Sequence, residues 1–249
     1  LAEGFLLNGF HRLREGFLDL LYPRDCLHCG QVVTDNGPLR YLCPACFLEV
    51  EVFGPPCCQV CGFPFYGMVS GPRTCPHCTE LKPKFGRGRT AFHLGGPMRE
   101  LVHTLKYQNG FFALEDLVSV ALIAPGVREF LEGAVLVPVP LHPWRQFRRS
   151  YNQTRLIAEK LVFKLQDVRV EDLLRRVRWT GSQTRLSREK RRLNMRGAFA
   201  LRKGRVVDAS VRYVVLDDVF TTGSTLNACC ETLRRAGAVN LDILALGHG

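Results

Sequence analysis

The stretch VVLDDVFTTGST, residues 214–225, decides how this chain is read. Val214, Val215 and Leu216 belong to the segment 211–216, apolar but for Arg212, which suits a buried strand. Asp217 and Asp218 close the run, and Thr221, Thr222, Gly223, Ser224 and Thr225 follow before a helical pattern over 226–236. In open α/β sheets ligands bind beyond the carboxyl ends of the strands, where this reading places the two acids. Backbone N–H groups at the start of the next helix suit an anion, and Gly223 would let a phosphate come close. Threonine and serine hydroxyls add donors. Paired carboxylates suit a vicinal diol or a divalent cation such as Mg²⁺. A phosphate beside a diol describes a ribose 5-phosphate. The plainer alternative is a strand–turn–helix whose acids only complement a helix dipole.

Outward from this motif, strand-like and helix-like segments alternate. Residues 91–94, 134–139, 211–216 and 241–246 read as strands, and 98–107, 112–124, 151–165 and 226–236 as helices. Such alternation predicts an α/β fold with a mostly parallel sheet and flanking helices over 91–249. Residues 81–90, LKPKFGRGRT, carry four basic residues, two glycines and no acid, and read as a basic linker or a cationic loop.

The cysteines of residues 25–80 form a repeat. Cys26, Cys29, Cys43 and Cys46 have the spacing C-x2-C-x13-C-x2-C, and Cys58, Cys61, Cys75 and Cys78 repeat it 32 residues later. Gly30 and Gly62 follow the second cysteine of each group, where a tight knuckle favours a positive φ. Two knuckles close a tetrahedral, fully thiolate site, so the expectation is two structural zinc ions. Metal would replace the core that so short a segment cannot build. Spacing alone leaves open an iron–sulfur cluster, interleaved pairing of the two groups, and Cys57 in place of Cys58. Disulfides and a thioredoxin-like redox pair fit the pattern less well. Cys229 and Cys230 read as small packing residues on a helix face.

Upstream, Leu6, Phe10, Leu13, Phe17 and Leu20 make one helical stripe within 1–24, which suits packing on the next domain or a partner chain better than a membrane surface. No apolar run approaches the ~18 residues of a membrane span. His11, Arg12, Arg14 and Glu15 interrupt any signal-peptide core, so the expected location is cytoplasmic. The net charge of +11 is concentrated. Residues 141–205 hold 19 Lys/Arg against 5 Asp/Glu, so the rest of the chain is net negative. Such a belt points to an anionic partner or to a solvated basic face.

Residues 213–225 resemble the phosphoribosyl-pyrophosphate signature of type I phosphoribosyltransferases, with Phe220 bulkier than the usual aliphatic residue. With the cysteine ribbons in front, VPVPLHPWRQFRRSYNQ (137–153) and QTRLSREKRRLNMRGAF (183–199), the chain from about residue 20 onward resembles the ComF family. These are phosphoribosyltransferase-like proteins associated with DNA uptake in natural competence. Ser150 and Tyr151 depart from the Gly-Phe of that family. The resemblance implies a type I phosphoribosyltransferase-like sheet behind a double zinc ribbon. It implies that Asp217, Asp218 and residues 221–225 hold phosphoribosyl pyrophosphate with Mg²⁺. It assigns a pyrophosphate loop to His142 and the arginines Arg145, Arg148 and Arg149, and a flexible catalytic loop to 183–194, including Gln183 and Arg191. Lys106 is a further candidate for the diphosphate side, or a helix-face lysine.

In such a transferase a nucleophile attacks the ribose anomeric carbon, the bond to the diphosphate oxygen breaks, and pyrophosphate leaves through an oxocarbenium-like transition state. Neither an acid–base residue nor the acceptor is legible. A second hypothesis is a non-catalytic adaptor, bound to single-stranded DNA or to competence-machinery proteins, whose Trp144, Phe147 and Tyr151 stack on bases; the plainer alternative is that these aromatics belong to the core. A third is a regulator that senses the sugar diphosphate.

Overall fold

The computed structural model describes residues 24–33, 39–67, 71–141, 151–178, 195 and 197–249. The expected N-terminal helix, His142, Arg145, Arg148 and Arg149, and Gln183 and Arg191 lie outside the described residues, as do Trp144 and Phe147.

Seven strands are present among the described residues: β1 (Gly88–His93), β2 (Val135–Pro138), β3 (Arg169–Val170), β4 (Leu174–Arg176), β5 (Phe199–Leu201), β6 (Arg212–Phe220) and β7 (Asn240–His248). The helices are α1 (Pro44–Leu48), α2 (Pro76–Leu81), α3 (Gly96–Tyr107), α4 (Ala113–Ile123), α5 (Val127–Leu131), α6 (Gln153–Lys164) and α7 (Ser224–Arg235). Five strands form one sheet in the order β1-β7-β6-β2-β3, every pair parallel. The remaining two make an antiparallel pair, β4-β5. From β2 the chain runs through α6 to β3 on one side, and from β6 through α7 to β7 on the other. The order therefore reverses between β2 and β6, the place where a parallel sheet opens a crevice.

Alternate side chains of the strands enter two cores. Val214 and Leu216 of β6, Leu136 of β2 and Leu244 of β7 face the core built with α3 to α6. Tyr213, Val215, Val135, Val137 and Ile243 face the core built with α7 and the β4-β5 pair. The cysteine repeat divides in the same way. Cys26, Cys43 and Cys46 belong to the first core, and Cys58, Cys61, Cys75 and Cys78 to the second. The two ribbons thus straddle the sheet at β1. Between them, Phe53 N–H donates to the Ala91 carbonyl (2.8 Å) and His93 N–H to the Glu51 carbonyl (2.9 Å). This short antiparallel contact covers an edge strand that would otherwise offer unpaired backbone groups.

Each ribbon is tied down further. Buried Asp116 on α4 accepts the N–H groups of Arg40 (2.9 Å) and Tyr41 (2.7 Å), which docks the first ribbon. Gly62, at φ +77°, brings the second knuckle so close to β1 that a Cβ there would lie 2.7 Å from the Thr90 nitrogen. Residues 82–87 form an exposed basic loop, as one of the two readings of this stretch has it, but the stretch is anchored at both ends. Leu81 and Phe85 are buried in the second core, and Gly88 already begins β1. Their apolar side chains outweigh the surrounding charge.

Candidate functional site

The strand carrying the two acids is longer than its apolar run. On one side β2 pairs with β6 only as far as Pro138 opposite Leu216, followed by Val139 N–H to the Leu216 carbonyl (2.9 Å). On the other, β7 keeps pairing to His248 opposite Phe220. Asp217 and Asp218 therefore lie within β6 and not beyond its end, because β7 continues to supply partners. They do lie past the end of β2, on the open side of β6, at the switch point.

Successive strand residues point to opposite faces, so the acids differ. Asp218 is buried; its Oδ2 lies 3.0 Å from Lys106 Nζ on α3 and accepts from Gln153 Nε2 on α6 at 3.0 Å. Burial alone lowers the Lys106 pKa, but the Asp218 carboxylate overcomes this and raises it. Lys106 is thus brought to the site as partner of an acid. Asp217 is half-buried, and its Oδ1 accepts the N–H of Asp218 (2.9 Å). Desolvation, reinforced by the Asp218 charge and opposed by Lys106 and Arg176, pushes its carboxyl up to about 7.

Helix α6 is held against the end of β2. Thr154 Oγ1 and Asn152 Nδ2 both donate to the Val139 carbonyl, at 2.7 and 3.1 Å, and the Asn152 side chain caps the helix by accepting the Thr154 N–H (3.2 Å). That anchoring aims Gln153 at Asp218. Tyr151, expected as a base-stacking residue, is buried: its hydroxyl donates to the Leu105 carbonyl and its ring packs on Phe111 at 4.5 Å. The hydroxyl finds this backbone acceptor between α3 and α6, so its ring serves packing and not a nucleic acid.

After β6 the chain turns sharply into α7. Thr221 is exposed, Thr222 and Ser224 are buried with their hydroxyls 2.9 Å apart, and Thr225 is half-buried. Gly223 caps α7 at φ +65°. A Cβ here would lie 2.7 Å from the Phe220 ring and 2.9 Å from Leu81 of the second ribbon. Glycine is required by its left-handed backbone and by this packing, a reason different from the phosphate approach expected of it. Gly223 offers no side-chain cap, and Ser224 N–H donates to Thr222 Oγ1 at 3.4 Å, so the N–H groups of Thr225 and Leu226 are the ones that face the turn without an intrahelical acceptor. Phe220 in turn stacks on His248 at 5.1 Å, and His248 on Phe63 at 4.6 Å, so ribbon aromatics support the loop from below.

Both cysteine groups close in sequence order: Cys26, Cys29, Cys43 and Cys46, then Cys58, Cys61, Cys75 and Cys78, the sulfurs of each group lying within 4.8 Å of one another. The Cys29–Cys43 and Cys61–Cys75 sulfur separations are 3.7 and 3.8 Å. A tetrahedron with Zn–S of about 2.3 Å has edges of about 3.8 Å, so the donor sets fit zinc. Cys43 and Cys75 are helix N-caps followed by Pro44 and Pro76 at the first helical position. Cys75 N–H donates to Cys58 Sγ at 3.2 Å. Cys57 is half-buried and belongs to neither group. His28 lies 3.7 Å from Glu49 beside the first site. Cys229 and Cys230 are fully buried in the second core, as packing residues.

Residues 17–79 match the double zinc ribbon domain family. Over 231 residues the chain is 30% identical to competence protein F of Haemophilus influenzae, spanning 90% of this chain and 96% of that protein. The chain belongs to the competence protein F (ComF) family. Competence protein ComFC of Streptococcus pneumoniae is 26% identical over 89% of this chain and 98% of its own length. The DNA utilization protein YhgH of Escherichia coli K12 is 29% identical over 76% of this chain and 82% of its own length. Among solved structures, a hypoxanthine phosphoribosyltransferase from Staphylococcus aureus overlaps 53% of this ComF-family chain and 62% of its own, at 14% identity and a TM-score of 0.31. A purine phosphoribosyltransferase from Pyrococcus horikoshii gives 58%, 73%, 17% and 0.30. Among the described residues no helix is long and apolar enough to cross a membrane.

Two site residues carried no signal of their own in the sequence. Gln153 stood inside a quoted motif without a role. Arg176, on β4, is buried, lies over the Phe199 ring at 5.5 Å and helps to hold the Asp217 pKa down.

Proposed function

We propose that this ComF-family chain binds phosphoribosyl pyrophosphate at the open end of β6, as a phosphoribosyltransferase-like protein in DNA uptake or DNA utilization. One observation carries the reading. The acid pair stands at the topological switch point, immediately before a tight turn into α7, where the cap residue Gly223 has no side chain and Thr222 Oγ1 holds only the first N–H, that of Ser224. The turn and the first N–H groups of α7 receive the 5-phosphate, aided by Thr221 and Thr225. Asp217 accepts from the ribose hydroxyls or holds Mg²⁺, whose charge would offset the diphosphate. Asp218 positions: its carboxylate is spent on Lys106 and Gln153 and fixes α3 and α6 around the crevice. The names of the relatives point to DNA as the wider context.

Calorimetric titration of phosphoribosyl pyrophosphate with Mg²⁺ into the zinc-loaded protein tests the reading, beside Asp217→Asn and Thr225→Ala. Saturable binding that each substitution weakens about tenfold or more is expected from the loss of one charge-assisted contact. No binding by the intact protein overturns it and moves the non-catalytic adaptor reading to first place.

A further inference from the structure

A second crevice opens at the ends of β2 and β3, beside the acid pair and sharing only Arg176 with its surroundings. It measures about 310 Å³ and lies against Pro140 and Leu141. Its polar wall consists of Asn152, Arg155, Asp172, Arg175, Arg176 and Arg202. Four guanidiniums thus face a single carboxylate. Arg155 is matched: its Nε bonds Glu159 (2.8 Å) and its Nη1 bonds Asp172 (2.7 Å). Arg175 and Arg202 are not. Their Nε atoms donate across the β4-β5 pair, Arg175 to the Leu201 carbonyl at 3.4 Å and Arg202 to the Leu174 carbonyl at 3.0 Å. Among the described residues neither has a carboxylate partner. These tethers hold both side chains along the β4-β5 pair and leave their terminal nitrogens for another acceptor.

We propose that this crevice is a second oxyanion site, taking a phosphate group of a nucleotide-like molecule other than the sugar diphosphate. A cluster of guanidinium forks on the antiparallel β4-β5 pair suits a group with several oxygens and up to two charges, which a lone carboxylate does not offer. The volume sits at the lower end of small-ligand sites, enough for a phosphate and part of its sugar. Arg176, which also acts on Asp217, places that phosphate next to the candidate ribose site. The identity of the crevice as an anion site does not depend on the sugar-diphosphate reading; only its role as acceptor site does. A terminal phosphate and a chain phosphodiester share this chemistry.

The test uses zinc-loaded full-length protein and its Arg175→Gln/Arg202→Gln variant. Three probes are titrated separately: thymidine 5′-monophosphate, an unphosphorylated oligothymidylate, and phosphoribosyl pyrophosphate with Mg²⁺. The expected result is that the variant loses about tenfold or more in affinity for at least one thymidine probe, with a shallower salt dependence for the oligomer. Its affinity for phosphoribosyl pyrophosphate stays within about twofold of the wild type. Loss with the monophosphate identifies a terminal-phosphate site; loss with the oligomer alone identifies a phosphodiester site. Unchanged binding of both thymidine probes, or no binding of either by the wild type, overturns the proposal. So does selective loss of phosphoribosyl pyrophosphate, which would make the crevice part of the first site. If the wild type binds a thymidine probe but not phosphoribosyl pyrophosphate, the crevice stands and the function proposed above falls.

Discussion

Asp217 is the place where function and stability should pull in opposite directions. Its carboxyl is pushed up to about 7 by desolvation and by the adjacent Asp218 charge. In the unfolded chain an aspartate titrates near about 3.9. Between these values the unfolded state has released the proton that the folded state keeps. The folded state therefore loses stability as pH rises from about 4 to about 7 and is level above that. A shift of about three units corresponds to about 4 kcal/mol if fully realised, and solvent screening of a half-buried group reduces this to about 1–3 kcal/mol. Asp217→Asn removes the titration. Between about pH 5.5 and about pH 8.5 its stability relative to the wild type should rise by about 1–2 kcal/mol.

The assay is urea denaturation of zinc-loaded wild type and Asp217→Asn across that pH range. Taking the difference between the two proteins cancels the proton dependence of the cysteine sites, which both share. The same variant should bind phosphoribosyl pyrophosphate less well at every pH, while wild-type affinity rises from about pH 6 to about pH 8 as the carboxylate ionises. A stability difference that is flat with pH would refute the reasoning, because it would mean that Asp217 is already ionised in the folded protein at low pH.

Three further outcomes follow from the geometry. Lys106→Met leaves Asp218 buried with only an amide donor and should cost about 3 kcal/mol in urea denaturation, whereas adding Asp218→Asn to it should recover most of that loss. Gly223→Ala meets both a left-handed backbone and a filled space, so it should cost about 2–4 kcal/mol, and Leu81→Ala in the same chain should offset part of it in a double-mutant thermal melt. Metal analysis should find two zinc ions per chain, two in Cys57→Ser and one in Cys58→Ser; two in Cys58→Ser would show that the neighbouring cysteine is the ligand.

What could be read without the structure was what neighbouring residues decide among themselves. The knuckle spacing, the prolines at the first helical position and the glycines at φ +74° and +77° are local geometry, and they are written locally. Strand–helix alternation is equally local, and the parallel order of the five-stranded sheet agrees with it. The end of β6 is decided at a distance. Hydropathy stops at Leu216, but a strand ends where its neighbours stop pairing, and β7 pairs on through Phe220. In residues 81–90 the charge is visible in the sequence, whereas the burial of Leu81 and Phe85 is not.

The site itself depends almost wholly on such distant choices. Lys106, Gln153 and Asp218 come from α3, α6 and β6, and nothing near Asp218 in sequence names its partners. The same holds for the support beneath the turn. Leu81 touches Gly223 only because the second ribbon lies on the α7 face of the sheet while the first lies on the other. A repeat that looks like two equal modules therefore has unequal consequences. Loss of metal from the second group should loosen the packing under residues 220–223, whereas the first group is tied chiefly to α4 through Asp116. The two zinc sites are alike in chemistry and differ in what they hold in place, and that difference resides in the sheet and not in the cysteines.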